Sequence, residues 1–286
     1  MVGRHSAVKP CLWLGKSLRG EGFCYKQQFY GIESHRCLQM TPAVAWCSHR
    51  CVFCWRNTEL TLGTSMGEWD GPEDIVDGCL EAHRQAISGF RGSPAVDKRL
   101  FMEACKPKHA AISLAGEPTV YPDVGGLIGG FRKRGMTTYL VTNGCFPDRL
   151  ESLEVMPTQL YVSLTAPDAE THRKVNLPLI PDSWERINET LEMMPSLDTR
   201  KVVRVTLVKG WNLRDPGGYA GLIAKAQPDY VEVKAFMFVG GSRLRLSMEN
   251  MPSHGEVKAF AAELAGELGY GIKDEKGDSR VVLLCK

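Results

Sequence analysis

Three cysteines within ten residues carry the clearest chemistry in this chain. The stretch WCSHRCVFCW, Trp46 to Trp55, sets Cys47, Cys51 and Cys54 at C-x3-C-x2-C spacing. Three thiolates on one loop bind a soft or borderline metal. A closed structural zinc site wants four ligands, and inside this loop only His49 offers itself as the fourth. A four-iron cluster held by three cysteines instead leaves one iron open to a further ligand.

A second set of three lies upstream. Cys11, Cys24 and Cys37 are spaced 13 and 13 apart, so six of the ten cysteines fall within 44 residues. If one set holds a cluster, the economical reading of the other is a second cluster, again with an open iron. Cys79, Cys105, Cys145 and Cys285 are far apart and read as buried small hydrophobes. The first twenty residues break their apolar positions with Arg4, Lys9, Lys16 and Arg19, which is no secretory signal. No apolar run approaches the roughly 20 residues needed to span a bilayer. A cytoplasmic location follows as the expectation, with no membrane partner and with cysteines serving metal or redox chemistry rather than disulfides. Residues 1–56 carry eight Lys or Arg against two acids, within a chain whose net charge is only +2. A basic segment beside metal ligands suits a polyanion, although a solvated basic face is the plainer reading.

Positioning these cysteines requires a scaffold, and the pattern is one of strands alternating with helices. Six core strands are expected: 38–46, 109–116, 136–144, 158–166, 200–210 and 229–239, with 279–286 as a possible extra strand. Pro42 inside the first of them suggests a sheet edge. Helices are expected from Asp70, with Pro72 in the first turn, and over 123–135, 182–194, 215–226 and 253–269. Asp182-x-x-Glu185 and Ser253-x-x-Glu256 serve as capping patterns. One helix between successive strands implies parallel pairing. Six strands rather than eight favour an α/β fold built as a partial (β/α)6 barrel, with a doubly wound sheet as the other option. We expect one compact unit: an N-terminal extension, 1–37, and a barrel with a short C-terminal extension, 38–286.

Ligands in such folds gather at the carboxyl ends of the strands. Polar residues recur there: Gly116 and Glu117 after the second strand, Thr142 and Asn143 after the third, Ser163 and Thr165 after the fourth, and Arg204, Lys209 and Asn212 on or after the fifth. Backbone carbonyls and a carboxylate suit an ammonium, glycine permits close approach, and hydroxyls and amides can bind ribose or carboxylate.

The cysteine triplet after a first strand resembles the radical S-adenosylmethionine superfamily. The resemblance implies that Cys47, Cys51 and Cys54 hold a 4Fe-4S cluster whose open iron takes S-adenosylmethionine through its amino and carboxylate groups. Reductive cleavage then gives a 5′-deoxyadenosyl radical. Gly116 and Glu117 would receive the amino group, Phe53 would face adenine, and Thr142, Asn143, Ser163, Arg204 and Asn212 complete the expected cofactor contacts.

A closer resemblance runs along nearly the whole chain. MTPAVAWCSHRCVFCWR with the upstream cysteines, SLAGEPTVYP, LVTNG, VSLTAPD, RVTLVKGWN and VEVKAFMFVGGSRLRL…NMPSH are similar to the tRNA 4-demethylwyosine synthases, in their archaeal form. That implies a radical-mediated joining of N1-methylguanosine, beside the anticodon of tRNAPhe, to a two-carbon unit of pyruvate. It implies a second 4Fe-4S cluster on Cys11, Cys24 and Cys37, and Lys26 as the residue forming a Schiff base with pyruvate, which needs a free amine. It also implies a separate electron donor of ferredoxin or flavodoxin type. The guanosine must leave its stack, which an anticodon loop makes cheap. Arg243 and Arg245, with the basic first 56 residues, are the expected phosphate contacts. Two rivals stand: another radical enzyme with an auxiliary cluster, or a metal-stabilised RNA-binding protein without catalysis.

Overall fold

A computed structural model describes residues 1–286. Its nine strands are β1 (Ala7–Val8), β2 (Cys37–Thr41), β3 (His109–Ile112), β4 (Thr137–Thr142), β5 (Gln159–Leu164), β6 (Arg200–Leu207), β7 (Tyr230–Ala235), β8 (Gly271–Lys276) and β9 (Val281–Cys285). They form one sheet in the order β1-β2-β3-β4-β5-β6-β7-β9-β8. β2 to β7 run parallel in chain order, each pair joined through helix, which is the six-stranded parallel arc expected. β1 adds to one side antiparallel, and the β8–β9 hairpin adds to the other, with β9 on β7.

The first strand differs from its expected span. It stops at Thr41, immediately before Pro42, because proline has no N–H for a ladder. It is also not an edge, since β1 pairs with it at Ala7↔Thr41 and Val8↔Met40. Residues 43–46 turn into the cysteine loop instead. The other core strands are also shorter than expected, each ending two to four residues early at its carboxyl end, where the chain turns into a loop.

The helices are α1 (Leu12–Leu18), α2 (Tyr25–Tyr30), α3 (Pro72–Ile87), α4 (Lys98–Ala104), α5 (Val124–Lys133), α6 (Pro147–Glu151), α7 (Ala169–Asn176), α8 (Ser183–Met193), α9 (Pro216–Ala226) and α10 (His254–Leu268). α10 begins with the capping box read from sequence: Ser253 Oγ accepts from Glu256 N, and Glu256 returns a carboxylate oxygen to Ser253 N at 2.8 Å. Asp182 does not cap α8; its carboxylate takes the Arg186 guanidinium at 2.9 Å. Asp70 does not cap α3 either, because Arg4 occupies it and Gly71 stands at the N-cap. No helix is long and apolar enough to cross a membrane.

Alternation along the strands divides the sheet into two faces. Leu38, Met40, Ala110, Ile112, Leu140, Leu160, Val162, Val203, Val205, Val231 and Val233 point outward into the main core against α3, α5, α8, α9 and α10. Each fully buried side chain of this kind contributes about 1.5–3 kcal/mol. The intervening residues point into the lumen of the arc. Near the amino ends of the strands this lumen is closed by an aromatic layer of Tyr139, Tyr161, Val202 and Ile32, with Tyr30 of α2 packed on it. The carboxyl ends stay open.

Candidate active site

The open end holds a cavity of 340 Å³, within the usual range for small-molecule sites of about 300–1,000 Å³. Cys47, Cys51, Phe53, Cys54, Gly116, Glu117, Thr142, Asn143, Ser163 and Arg204 all line it. Ten of the residues named from sequence are thus gathered at one place. The strand-end logic held because alternate residues from successive strands share one face.

The cysteine loop is braced from several sides. Gly116, at φ +66°, passes so close to the chain after β2 that a Cβ would lie 1.8 Å from the Ala43 carbonyl oxygen. The following amide, Glu117 N, donates to the Trp46 carbonyl at 2.8 Å. The close approach read from sequence is therefore made to the protein's own backbone. From the far side, Gly241 N donates to the Trp55 carbonyl at 2.6 Å. Arg245 donates to the Val52 and Cys54 carbonyls and to Thr58 Oγ1. Arg245 is thus a loop brace and is not free for the phosphate contact expected of it. Arg243 stays exposed, stacked on Phe238.

His49 does not turn toward the cysteines. Its Nε2 lies 2.9 Å from Ser183 Oγ and 3.1 Å from Cys145 Sγ, in a buried network that His172 and Asn176 complete. Burial holds His49 neutral, with its pKa lowered to about 3, a shift to which His172 adds. This removes the fourth zinc ligand and with it the zinc reading. It also gives Cys145 a specific role in seating the loop, beyond that of a buried hydrophobe. Burial, followed by Glu117, pushes the Cys47 thiol up to about 12; burial and its two sister cysteines push Cys51 well above the ordinary range. Three half-buried thiols on one loop, with Cys47 and Cys51 hard to ionise in its apolar setting and no fourth donor from His49, fit a metal cluster that brings its own charge compensation.

Glu117 is buried and fully engaged. Its carboxylate accepts from Thr119 N and Oγ1, from Thr142 Oγ1 and from Asn143 N, at 2.6–3.1 Å. Asn143 Nδ2 donates to Ser48 Oγ, tying the end of β4 to the cysteine loop. Glu117, Thr142 and Asn143 therefore set the cavity wall, and Thr142 and Asn143 keep little free hydrogen-bonding capacity. Asn212 leaves the set of cofactor contacts altogether. It is fully buried, accepts from Val208 N and donates to the Thr165 and Thr206 carbonyls, locking the turn after β6 outside the cavity.

The second cysteine set sits at the other end of the lumen. Cys37 opens β2, Cys24 stands at the N-cap of α2 and Cys11 at the N-cap of α1. The extension and the barrel thus meet within a single strand. Burial raises the Cys37 and Cys24 thiols; the charge of Cys11 adds to both and that of Cys24 to Cys37, and Lys26 opposes both. The three thiols and Lys26 therefore share one neighbourhood, and the donor set again fits a cluster with three protein ligands.

Lys26 reaches into the lumen, with Nζ 4.5 Å from the Tyr161 ring centroid. Arg204 lies over the same ring at 4.5 Å. Burial, then Arg204, lowers the Lys26 pKa, the direction a free amine requires. Glu232 is buried among them and accepts from Tyr25 Oη, Tyr30 Oη and Arg204 Nε at 2.8–3.1 Å. Lys234, also on the cavity wall, completes the group. Neither Glu232 nor Lys234 was singled out from sequence. The signal was present: in VEVKA the two polar residues fall two apart, on the lumen face of a strand whose other face is apolar.

Comparison with known proteins decides the family. A radical S-adenosylmethionine superfamily model matches residues 42–223, and a wyosine base formation model matches 225–286. The S-adenosyl-L-methionine-dependent tRNA 4-demethylwyosine synthase of Pyrococcus abyssi is 57% identical over all of this chain and 85% of its own length. The chain belongs to the tRNA 4-demethylwyosine synthases. It is accordingly an S-adenosylmethionine-dependent enzyme of tRNA wyosine-base formation, and the iron–sulfur cluster of its superfamily is implied. The rice synthase is 43% identical across the whole chain, which spans 44% of the rice protein's length. A solved structure of TYW1 with a lysine–pyruvate adduct bound superposes with TM-score 0.91 at 38% identity, covering 100% of this chain and 91% of that one.

Proposed function

We propose that this synthase condenses N1-methylguanosine, beside the anticodon of tRNAPhe, with pyruvate to form the tricyclic 4-demethylwyosine base. The observation that carries the reading is a single lumen with a cysteine triad at each end and Lys26 between them. Cys47, Cys51 and Cys54 would hold the 4Fe-4S cluster that binds S-adenosylmethionine, and Cys11, Cys24 and Cys37 would hold a second. When bound, the first cluster and S-adenosylmethionine would supply the 5′-deoxyadenosyl radical chemistry that activates the N1-methyl group.

The chain's own residues do the rest. Phe53, between Cys51 and Cys54 on the loop, and Ser163, near the end of β5, line the cavity in which a nucleoside would lie. Lys26, as the free amine, attacks the keto carbon of pyruvate, and the carbonyl oxygen leaves as water to give the Schiff base, a role supported by the lysine–pyruvate adduct in the related TYW1. The aromatic layer of Tyr139 and Tyr161 under Lys26 excludes water from the amine end of the lumen. Trp55, 41% exposed at the mouth, is held by its Nε1 on the Leu114 carbonyl at 3.2 Å and offers a stacking face to an extruded base. A separate ferredoxin- or flavodoxin-type protein would deliver the electron, in the cytoplasm. The test is anaerobic: iron-loaded protein, dithionite, S-adenosylmethionine and pyruvate are incubated with tRNA carrying N1-methylguanosine, and the digest is searched for the tricyclic nucleoside. Fully loaded protein that cleaves S-adenosylmethionine yet forms no such nucleoside would overturn the proposal.

A further inference from the structure

The lumen between the two cysteine triads contains more positive charge than its own carboxylate can neutralise. Lys26 counts as the free amine that the proposed function requires, so Arg204 and Lys234 are the cations, and they face one acid, Glu232, with the Cys24 thiol, raised by burial, also acting on Lys234. Glu232 is already engaged: two tyrosine hydroxyls and Arg204 Nε donate to it, and its one ion pair is with Arg204. Arg204 spends Nε on Glu232 and Nη2 on Tyr25 Oη, which leaves Nη1 without a protein partner. Lys234 is fixed through one donor only, to the Ser279 carbonyl at 2.5 Å. In register, Arg204 stands opposite Glu232, and Lys234 opposite Thr206. Arg204, Thr206 and Lys234 therefore occupy adjacent positions on one wall, and all three line the cavity. A buried cation without a partner is costly, so sites of this kind are completed by an anion. The unspent donors are an ammonium and one guanidinium N–H, which suit the two oxygens of a carboxylate.

We propose that Lys234 and Arg204 Nη1 form a carboxylate subsite on the lumen wall, with Thr206 beside it, that anchors one of the enzyme's small acids. Two such acids are in play under the function proposed above, on which this inference rests: the keto acid and the methionine moiety of S-adenosylmethionine. The subsite fixes the acid end of its ligand so that the reacting end, either keto carbon or sulfonium, faces the lumen axis. No bond is made or broken at Lys234, which is a positioning residue. Burial, with Arg204 next, lowers the Lys234 pKa to about 8, which is consistent with a cation awaiting its counter-charge.

Binding separates the two sources without relying on turnover. Anaerobic titration calorimetry on iron-loaded wild type, Lys234→Gln and Lys234→Arg would use pyruvate and S-adenosylmethionine in turn. We expect Lys234→Gln to weaken one ligand by about tenfold or more and the other by less than about twofold, with Lys234→Arg restoring most of the loss. The ligand that is weakened names the source. On wild type alone, the same subsite requires that removing the negative charge weakens binding: methyl pyruvate against pyruvate, or decarboxylated S-adenosylmethionine against the parent. Unchanged affinity for both acids in Lys234→Gln overturns the subsite. So does wild type that binds neither neutral analogue more weakly, a result that stands even if the glutamine variant fails to load iron. Wild type that makes the tricycle while Lys234→Gln binds both acids normally sinks this inference and leaves the proposed function intact. Wild type that binds one of the two acids through Lys234 yet makes no tricycle does the reverse.

Discussion

At the residue scale the chemistry falls to few side chains. Lys26 is the clearest test: Lys26→Ala should keep both clusters, since the residue is no ligand, and should lose at least about 100-fold in product formation. Iron analysis and nucleoside digestion read the two effects separately. Cys24→Ala should halve the iron content while still allowing S-adenosylmethionine to be cleaved without product, because the Cys47–Cys54 loop is built independently of α2. Glu117 makes a different prediction. Its oxygens accept from two backbone amides and two hydroxyls. Glu117→Gln places an amide donor against one of them, for a loss of about 1–3 kcal/mol in unfolding free energy. At this scale the gathering of Cys47, Cys51 and Cys54 on one loop was legible, because their spacing is local. Lys234 was passed over because a lysine in a strand reads as solvent-facing until closure of the arc makes that face an interior.

At the element scale, order came from alternation and breaks came from proline and glycine. β3 to β7 were readable because a parallel strand packed against helices shows an apolar outer face. α1 and α2 were missed: each is a turn or two long and cut by Gly15, Gly22 and Gly31, and their positions depend on the lumen they close. Arg245 was assigned to solvent because its partners, the carbonyls of residues 52–56, are nearly two hundred positions away. The brace under the cysteine loop gives this scale its prediction. Gly116→Ala must move the Ala43 and Trp46 carbonyls, so it should destabilise the fold by more than the roughly 1 kcal/mol that a left-handed backbone alone imposes. It should also lower iron occupancy at the Cys47 triad selectively, which the spectrum of the S-adenosylmethionine-bound cluster would reveal.

At the scale of the whole molecule, the basic first 56 residues present less free charge than their count suggests. Arg4, Arg19 and Arg36 are ion-paired, Arg56 turns to the Val44 carbonyl, and Lys26 enters the lumen. Lys9, over the Trp55 ring at the mouth, remains available, and so does exposed Arg243. Substituting glutamine at either should weaken tRNA binding and reduce the slope of log K against log salt by about one unit. Acid stability is set elsewhere. His172 is buried and its pKa is lowered to about 4, first by burial, against about 6.5 in the unfolded chain. Its contribution is fully present above pH 6.5 and is lost as pH falls toward 4, where the unfolded chain binds the extra proton. The loss is on the order of 3 kcal/mol, and denaturant unfolding of His172→Gln should show a flatter acid limb.

The central claim is that two clusters face each other across one lumen, each held by three cysteines and each open to a different small ligand. Mössbauer spectroscopy of anaerobically loaded wild type, alone and with S-adenosylmethionine or pyruvate added, addresses it directly. The account predicts about eight irons per chain in two 4Fe-4S clusters, with each ligand altering one iron of a different cluster. A single cluster, or two clusters that neither ligand perturbs, would contradict it.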